Sequence, residues 1–351
     1  MLYALGGLDV QAPLALHAGA VRAIALHPSG TALACLAETI HGEAPSWELD
    51  GWPLKVGLSR PSFTWRCLRR RQGSLAFAPD GRYLLHTDGD GVSRWDFTTG
   101  ADTRVHLGGQ SNRLRFARDG RLWVVDRDKV RAWDLPGKEP VARWSNQVSE
   151  VLTGLGGIKD LAAGQYWVVV AGRDGFARLL RASDAGLASS RRCSNSPLTA
   201  AALNASETVA AVGSEQGEII LLEVPSGAVL ARLPAHTDVV TSLVFAGDTL
   251  LVSGSRDRTL RLTEWDSRVA RDLFTLRMGG SVVQVCLTPD NRRLAVLLHE
   301  ERAVRLWRLE RLWTGLDTLS PENPLPPLPD APALPAVPPP GPSPVRRGTG
   351  L

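Results

Sequence analysis

Residues Leu243 to Asp266 read LVFAGDTLLVSGSRDRTLRLTEWD. The apolar run Leu243-Val244-Phe245 breaks at Gly247-Asp248, and a second run, Leu250 to Ser255, follows at once. Arg256-Asp257-Arg258 supplies the next turn. Thr259 to Glu264 then alternates apolar and polar side chains, the pattern of a strand with one buried face. Three short strands and two turns cannot bury their own faces. The unit needs neighbours built like itself.

The same grammar fits the chain about seven times, at a period of roughly 40–50 residues. The first turns fall at Pro28-Ser29-Gly30, Pro79-Asp80-Gly81, Arg118-Asp119-Gly120, Gly164-Gln165, Asn204-Ala205-Ser206, Gly247-Asp248 and Pro289-Asp290-Asn291. Proline presets φ at the first turn position, and Gly or Asn tolerates the left-handed one. Third strands end at Trp95-Asp96, Trp133-Asp134 and Trp307-Arg308. With Ala235-His236 before a first strand, these residues resemble the WD40 repeat family over about residues 12 to 315. The resemblance implies an all-β fold: a seven-bladed β-propeller of four-stranded antiparallel blades around a central channel, occupying residues 1–317. The composition and loose repeats look like those of bacterial WD40 proteins.

The family often braces a blade through a His, a Ser or Thr, an Asp and a Trp. Here the sixth copy matches His236, Ser255 and Asp257, with Thr263 in place of the Trp. Trp95, Trp133 and Trp307 hold the Trp position in other copies, but in the second and third Asp90 and Asp128 stand one residue closer to the Trp, so the brace is mostly absent. Apolar packing between sheets must therefore carry most of the stability. In this family the last blade is often closed from the opposite terminus. Pro13 to His17 would do so and would remove an open sheet edge; Leu312 to Leu316 is the competing strand. In the first copy, Trp47, Trp52 and Trp65 fall in a longer stretch, read as an extended hairpin or a projecting aromatic loop.

Half of the 24 prolines lie from Pro321 onward. Residues 318–351 are expected to be a disordered, Pro-rich tail, since proline neither donates to a ladder nor continues a helix. Its segment Pro324-Leu325-Pro326-Pro327-Leu328-Pro329 suits an aromatic groove. An apolar content of 44% is enough for a sizeable core, and the net charge of +4 is mild. Cys35, Cys67, Cys193 and Cys286 lie far apart with no metal spacing, which points to a reducing cytoplasm. No signal peptide or run of about 18 apolar residues is evident.

Nothing in the chain reads as catalytic. There is no HExxH, GxSxG or phosphate-binding glycine loop. No cofactor or metal is expected, and sparse Tyr and Phe argue against a nucleic-acid groove. Surface remains. In WD40 proteins partners often bind the narrower face, made by the leading ends of the first strands and the turns between second and third strands. Carried over copy by copy, those positions hold Arg22, Arg71, Gln110, Asn112, Arg127, Arg173, Thr199, Glu215, Thr241, Arg256 and Glu300. Five are arginines, whose planar fork suits carboxylate and phosphate. The expected function is a non-catalytic scaffold whose face binds an acidic or phosphorylated protein segment. The alternatives are an enzyme with a site at the channel mouth and a purely structural or oligomeric unit.

Overall fold

Strands such as Val209–Ser214 and Leu250–Ser255 are buried along their whole length. A strand covered on both faces needs a sheet packed against each of them. In the computed structural model this need is met by seven sheets that follow one another along the chain. The structure describes residues 2–3, 14–15, 20–41, 44–53, 63–67, 73–87, 92–96, 102–105, 111–126, 129–133, 148–152, 157–266, 269–299 and 303–310. The sheets cover residues 20–67, 75–105, 111–152, 158–192, 198–234, 240–277 and 282–308. The tail from 318, and the competing closing strand at 312–316, lie outside the described residues.

The innermost strands are Ala20–Leu26, Leu75–Phe77, Ser111–Phe116, Ile158–Ala163, Leu198–Leu203, Val240–Ala246 and Val282–Leu287. Each contacts the next, and the seventh returns to the first, so the ring closes as a β-propeller. The core is not one mass. Seven apolar clusters exist among the described residues, each between two adjacent sheets. The closing one packs Val21, Ile24 and Leu33 against Ala295, Leu297 and Val304.

Hydrogen bonds stitch the same junctions. Gln284 on the seventh sheet accepts from Ile24 N–H at 3.1 Å and donates to Ile24 C=O at 2.9 Å. Ser242 on the sixth accepts from Val285 N–H at 3.0 Å. Asp160 on the fourth accepts from Ala201 N–H at 3.3 Å, and Ser74 on the second from Leu114 N–H at 3.1 Å. Arg113 on the third donates to Lys159 C=O at 3.4 Å. All five side chains hold one equivalent position of the repeat, on the innermost strand or, for Ser74, just ahead of it. Where that position is Ala23 or Ala200, other residues serve. His27, whose pKa burial lowers, meets Gly81 C=O at 3.1 Å, and Thr199 donates to Val240 C=O at 2.6 Å.

Leu14–Ala15 pairs antiparallel with Ala303–Arg308 and is the fourth strand of the seventh sheet. The sixth sheet departs from the expected four strands. Leu2–Tyr3 adds to it in parallel, opposite Thr275 and Leu276, as a fifth. The edge strand Val269–Arg277 offers unpaired backbone groups there, and Phe274 and Leu276 give that half an apolar face. The extra length of the first copy lies in two ten-residue strands, Ala32–His41 and Ala44–Pro53, so Trp47 and Trp52 are strand residues. Trp65 lies on the next strand, opposite Leu49.

Gln284→Ala would strand two backbone groups of Ile24 at the closing junction. A loss of about 2 kcal/mol is expected, read as a lower urea midpoint with an unchanged slope.

Candidate functional site

Six of the innermost strands carry a β-bulge at the same point, close to their leading end. The extra residues are Arg22, Asn112, Lys159, Thr199, Thr241 and Val283. A bulge takes one residue out of the ladder and re-aims its side chain. Four of the six, Arg22, Asn112, Thr199 and Thr241, are among the positions expected from sequence to form the binding face. Lys159 is not, although its place in the repeat, just ahead of the fourth apolar run, was the available signal.

The turns between second and third strands sit beside these bulges. Arg173 N–H donates to Gly157 C=O at 2.9 Å, Glu215 N–H to Pro197 C=O at 3.0 Å, and Arg256 N–H to Val239 C=O at 3.1 Å. Each bond ties the turn to the chain leading into its own sheet. Gly157 has φ +110°, and a Cβ there would lie 2.7 Å from Cδ of Arg173, so the arginine stem packs over a glycine. Arg173, Glu215 and Arg256 are exposed.

These groups form one electrostatic neighbourhood. Partial burial pushes the Lys159 ammonium down from its ordinary pKa. The Arg173 guanidinium adds to that shift, Glu215 opposes it, and Arg256 and Arg113 add again. Arg173, Arg256 and Lys159 make no ion pair among the described residues. Arg22 stands apart: both guanidinium contacts go to Glu38, at 2.7 and 3.1 Å. Thr199 and Thr241 spend their hydroxyls on neighbouring sheets, Thr241 donating to Val282 C=O at 2.7 Å. Arg71, Gln110, Arg127 and Glu300, and the side chain of Asn112, lie outside the described residues.

Below this rim the channel holds a cavity of about 420 Å³ whose wall includes Arg115, Asp160, Ser242 and Gln284. Arg115 pairs with Asp160 at 3.2 Å, and the others bond the next strand. Among the described residues, no group of three or more His, Cys, Asp or Glu is placed to hold a metal ion. Among the described residues, no helix is long and apolar enough to cross a membrane.

In the sixth sheet His236 Nδ1 donates to Asp257 at 3.1 Å, and Nε2 meets Ser253, not Ser255, at 2.8 Å. Ser255 instead accepts from Asp257 N–H and donates to Asp238 C=O, both at 3.1 Å. In the fourth sheet the matching acid, Asp174, is held by Arg178. Trp95 is half-buried; Trp133 and Trp307 are buried in the core, and their indole N–H groups find no acceptor among the described residues.

Residues 227–266 match the family model of the WD domain, G-beta repeat. The chain carries a WD40 repeat. The match begins before the fourth strand of the fifth sheet, Val229–Pro234, and ends with the third strand of the sixth. A WD40 unit offset from its sheet in this way leaves the last sheet one strand short, which Leu14–Ala15 fills. The human WD repeat and SOCS box-containing protein 1 is 34% identical over 105 residues, 29% of this chain and 24% of that protein. Protein ROOT INITIATION DEFECTIVE 3 of Arabidopsis thaliana is 37% identical over 89 residues, 25% and 20% of the two chains. The chain thus covers about a quarter or less of the length of these relatives. Both are eukaryotic, so the expected likeness to bacterial repeats finds no support in them. Two solved structures, of U3-55K and of the RRP9 WD40 repeats, superpose with TM-scores of 0.70 and 0.68. Each is 17% identical and covers 86% of this chain and 99% of its own.

Burial alone would raise the Asp257 pKa, but bonds from His236, Thr259 and the Thr237 N–H outweigh it and hold the carboxyl well below the usual range. A depressed folded pKa gives stability that is present above the unfolded value near pH 4 and is lost as pH falls below it. Asp257→Asn should cost about 2 kcal/mol at pH 7. The gap to wild type should narrow by about 1 kcal/mol between pH 5 and pH 3 in urea unfolding. A gap independent of pH would contradict this.

Proposed function

We propose that this chain is a non-catalytic scaffold that binds a protein segment on the face carrying Lys159, Arg173 and Arg256, and that the segment is acidic or phosphorylated. The observation that carries the reading is the grouping of these three cations without an ion pair among the described residues. Each is set on a bulge or turn fixed by backbone hydrogen bonds. Fixed donors lose little freedom on binding. Arg256 and Arg173 offer the planar fork that grips carboxylate or phosphate, and Lys159 adds a point charge. The charged groups of the channel wall are bonded to the wall itself, which favours a binding surface over an acid–base centre. The human relative is a WD repeat protein by name, and a binding platform is in keeping with that kinship. The propeller is taken as residues 1–317 and the tail as 318–351. The proposed compartment is the cytoplasm, in keeping with the free thiols of Cys35, Cys193 and Cys286.

The test is retention of an immobilised phosphoserine peptide library with acidic flanks, beside its unphosphorylated counterpart. Wild type should retain a subset of these peptides. The triple variant Lys159→Glu, Arg173→Glu, Arg256→Glu, shown to be folded by its thermal melt, should bind them at least about 100-fold more weakly, the size expected for losing two or more charge-assisted contacts. No retention by wild type, or equal retention by the folded variant, refutes the reading.

A further inference from the structure

The opposite end of the channel has a different chemistry. There the turns between first and second strands surround a bowl of about 570 Å³, the size of a pocket for a small molecule or a few side chains. Its wall includes Phe77, Phe116, Leu203, Phe245, Leu287 and Pro289, contributed by five of the seven sheets. Arg118, Asp119, Gln165 and Asn291 add polar groups at its turns. A concavity that combines phenylalanine and proline with such polar groups is suited to a proline-rich segment in the polyproline II conformation, whose exposed carbonyls need donors.

The chain leads such a segment to this end of the ring. The last described strand, Ala303–Arg308, runs antiparallel to Arg293–Leu298 and so ends beside the turn that precedes it. Leu309 N–H donates to Arg292 C=O at 2.8 Å, and the turn containing Arg292 also supplies Thr288, Pro289 and Asn291 to the bowl. The chain continues for 41 residues past Glu310. They include Pro324-Leu325-Pro326-Pro327-Leu328-Pro329, an uncharged apolar hexapeptide between Glu322 and Asp330. Polyproline II has three residues per turn, so residues spaced as Leu325 and Leu328 are would share one face in that conformation. About 14 residues join Glu310 to Pro324 and span up to roughly 43 Å at 3.1 Å each, against a radius of gyration of about 19 Å for a domain of some 300 residues. The tether reaches the bowl easily and holds the segment at a high effective concentration.

We propose that Pro324 to Pro329 docks in this bowl, with Leu325 and Leu328 on its apolar floor and the prolines against Phe77, Phe116 and Phe245. The basic face at the other end of the channel takes no part in this contact. This does not depend on what the basic face binds.

The test is photo-crosslinking in the full chain, with p-benzoylphenylalanine placed at position 328. Expected are crosslinks within one chain, mapped by mass spectrometry to peptides containing Phe116, Phe245 or Leu287. Leu203→Glu combined with Leu287→Glu, shown to be folded, should cut their yield at least tenfold. Crosslinks absent, mapped away from the bowl, or formed only between chains overturn the proposal. So does an unchanged yield in the folded double variant. If the double variant does not fold, the wild-type map decides alone.

Discussion

No sheet of this protein contains a core of its own. Every apolar cluster among the described residues lies between two sheets, and each sheet is covered on both faces by its neighbours. That constraint makes the ring obligatory. An open row of sheets would leave two apolar faces in water, and only a seventh sheet packed against the first removes both. It also explains why the junctions are so heavily bonded. Packing alone is non-directional, whereas Gln284, Ser242, Asp160 and Ser74 fix how far one innermost strand slides against the next.

The same constraint creates the candidate site. Innermost strands crowded around a channel bulge where they begin, and the bulges turn Arg22, Lys159, Thr199 and Thr241 out of the ladder. Those bulges and the adjoining turns are anchored by backbone bonds, so the side chains they carry stand on a rigid base. What differs between sheets is only which residue holds each position. Threonine there is used up in joining sheets, and Arg22 is neutralised by Glu38. Lys159, Arg173 and Arg256 are left to define the electrostatics of the rim.

The architecture was legible because it is written in turns and in strand periodicity. The proline and glycine turns mark where first strands end, and the long buried runs such as Leu250 to Ser255 can be read without knowing their neighbours. The site was legible only in part. Repeat position placed Arg173 and Arg256 on turns between second and third strands, where the structure has them, because turn geometry is local. Lys159 was not legible there, because a bulge is set by the pairing of two strands and leaves no local turn signature. The partner of His236 was misplaced by two residues, to Ser255 from Ser253. Both serines lie two residues apart on one face of the same strand, and only the three-dimensional reach of the imidazole separates them. The parallel strand Leu2–Tyr3 has no sequence signature, since a two-residue pairing depends on the edge that receives it.

The most direct test of the account is hydrogen exchange of the full chain with and without a phosphoserine peptide that it binds. The account predicts slowed exchange at the leading ends of the innermost strands and the second-to-third turns of the third to sixth sheets, around Lys159, Arg173 and Arg256. Protection confined to the outer edge strands or to the opposite end of the channel would contradict it.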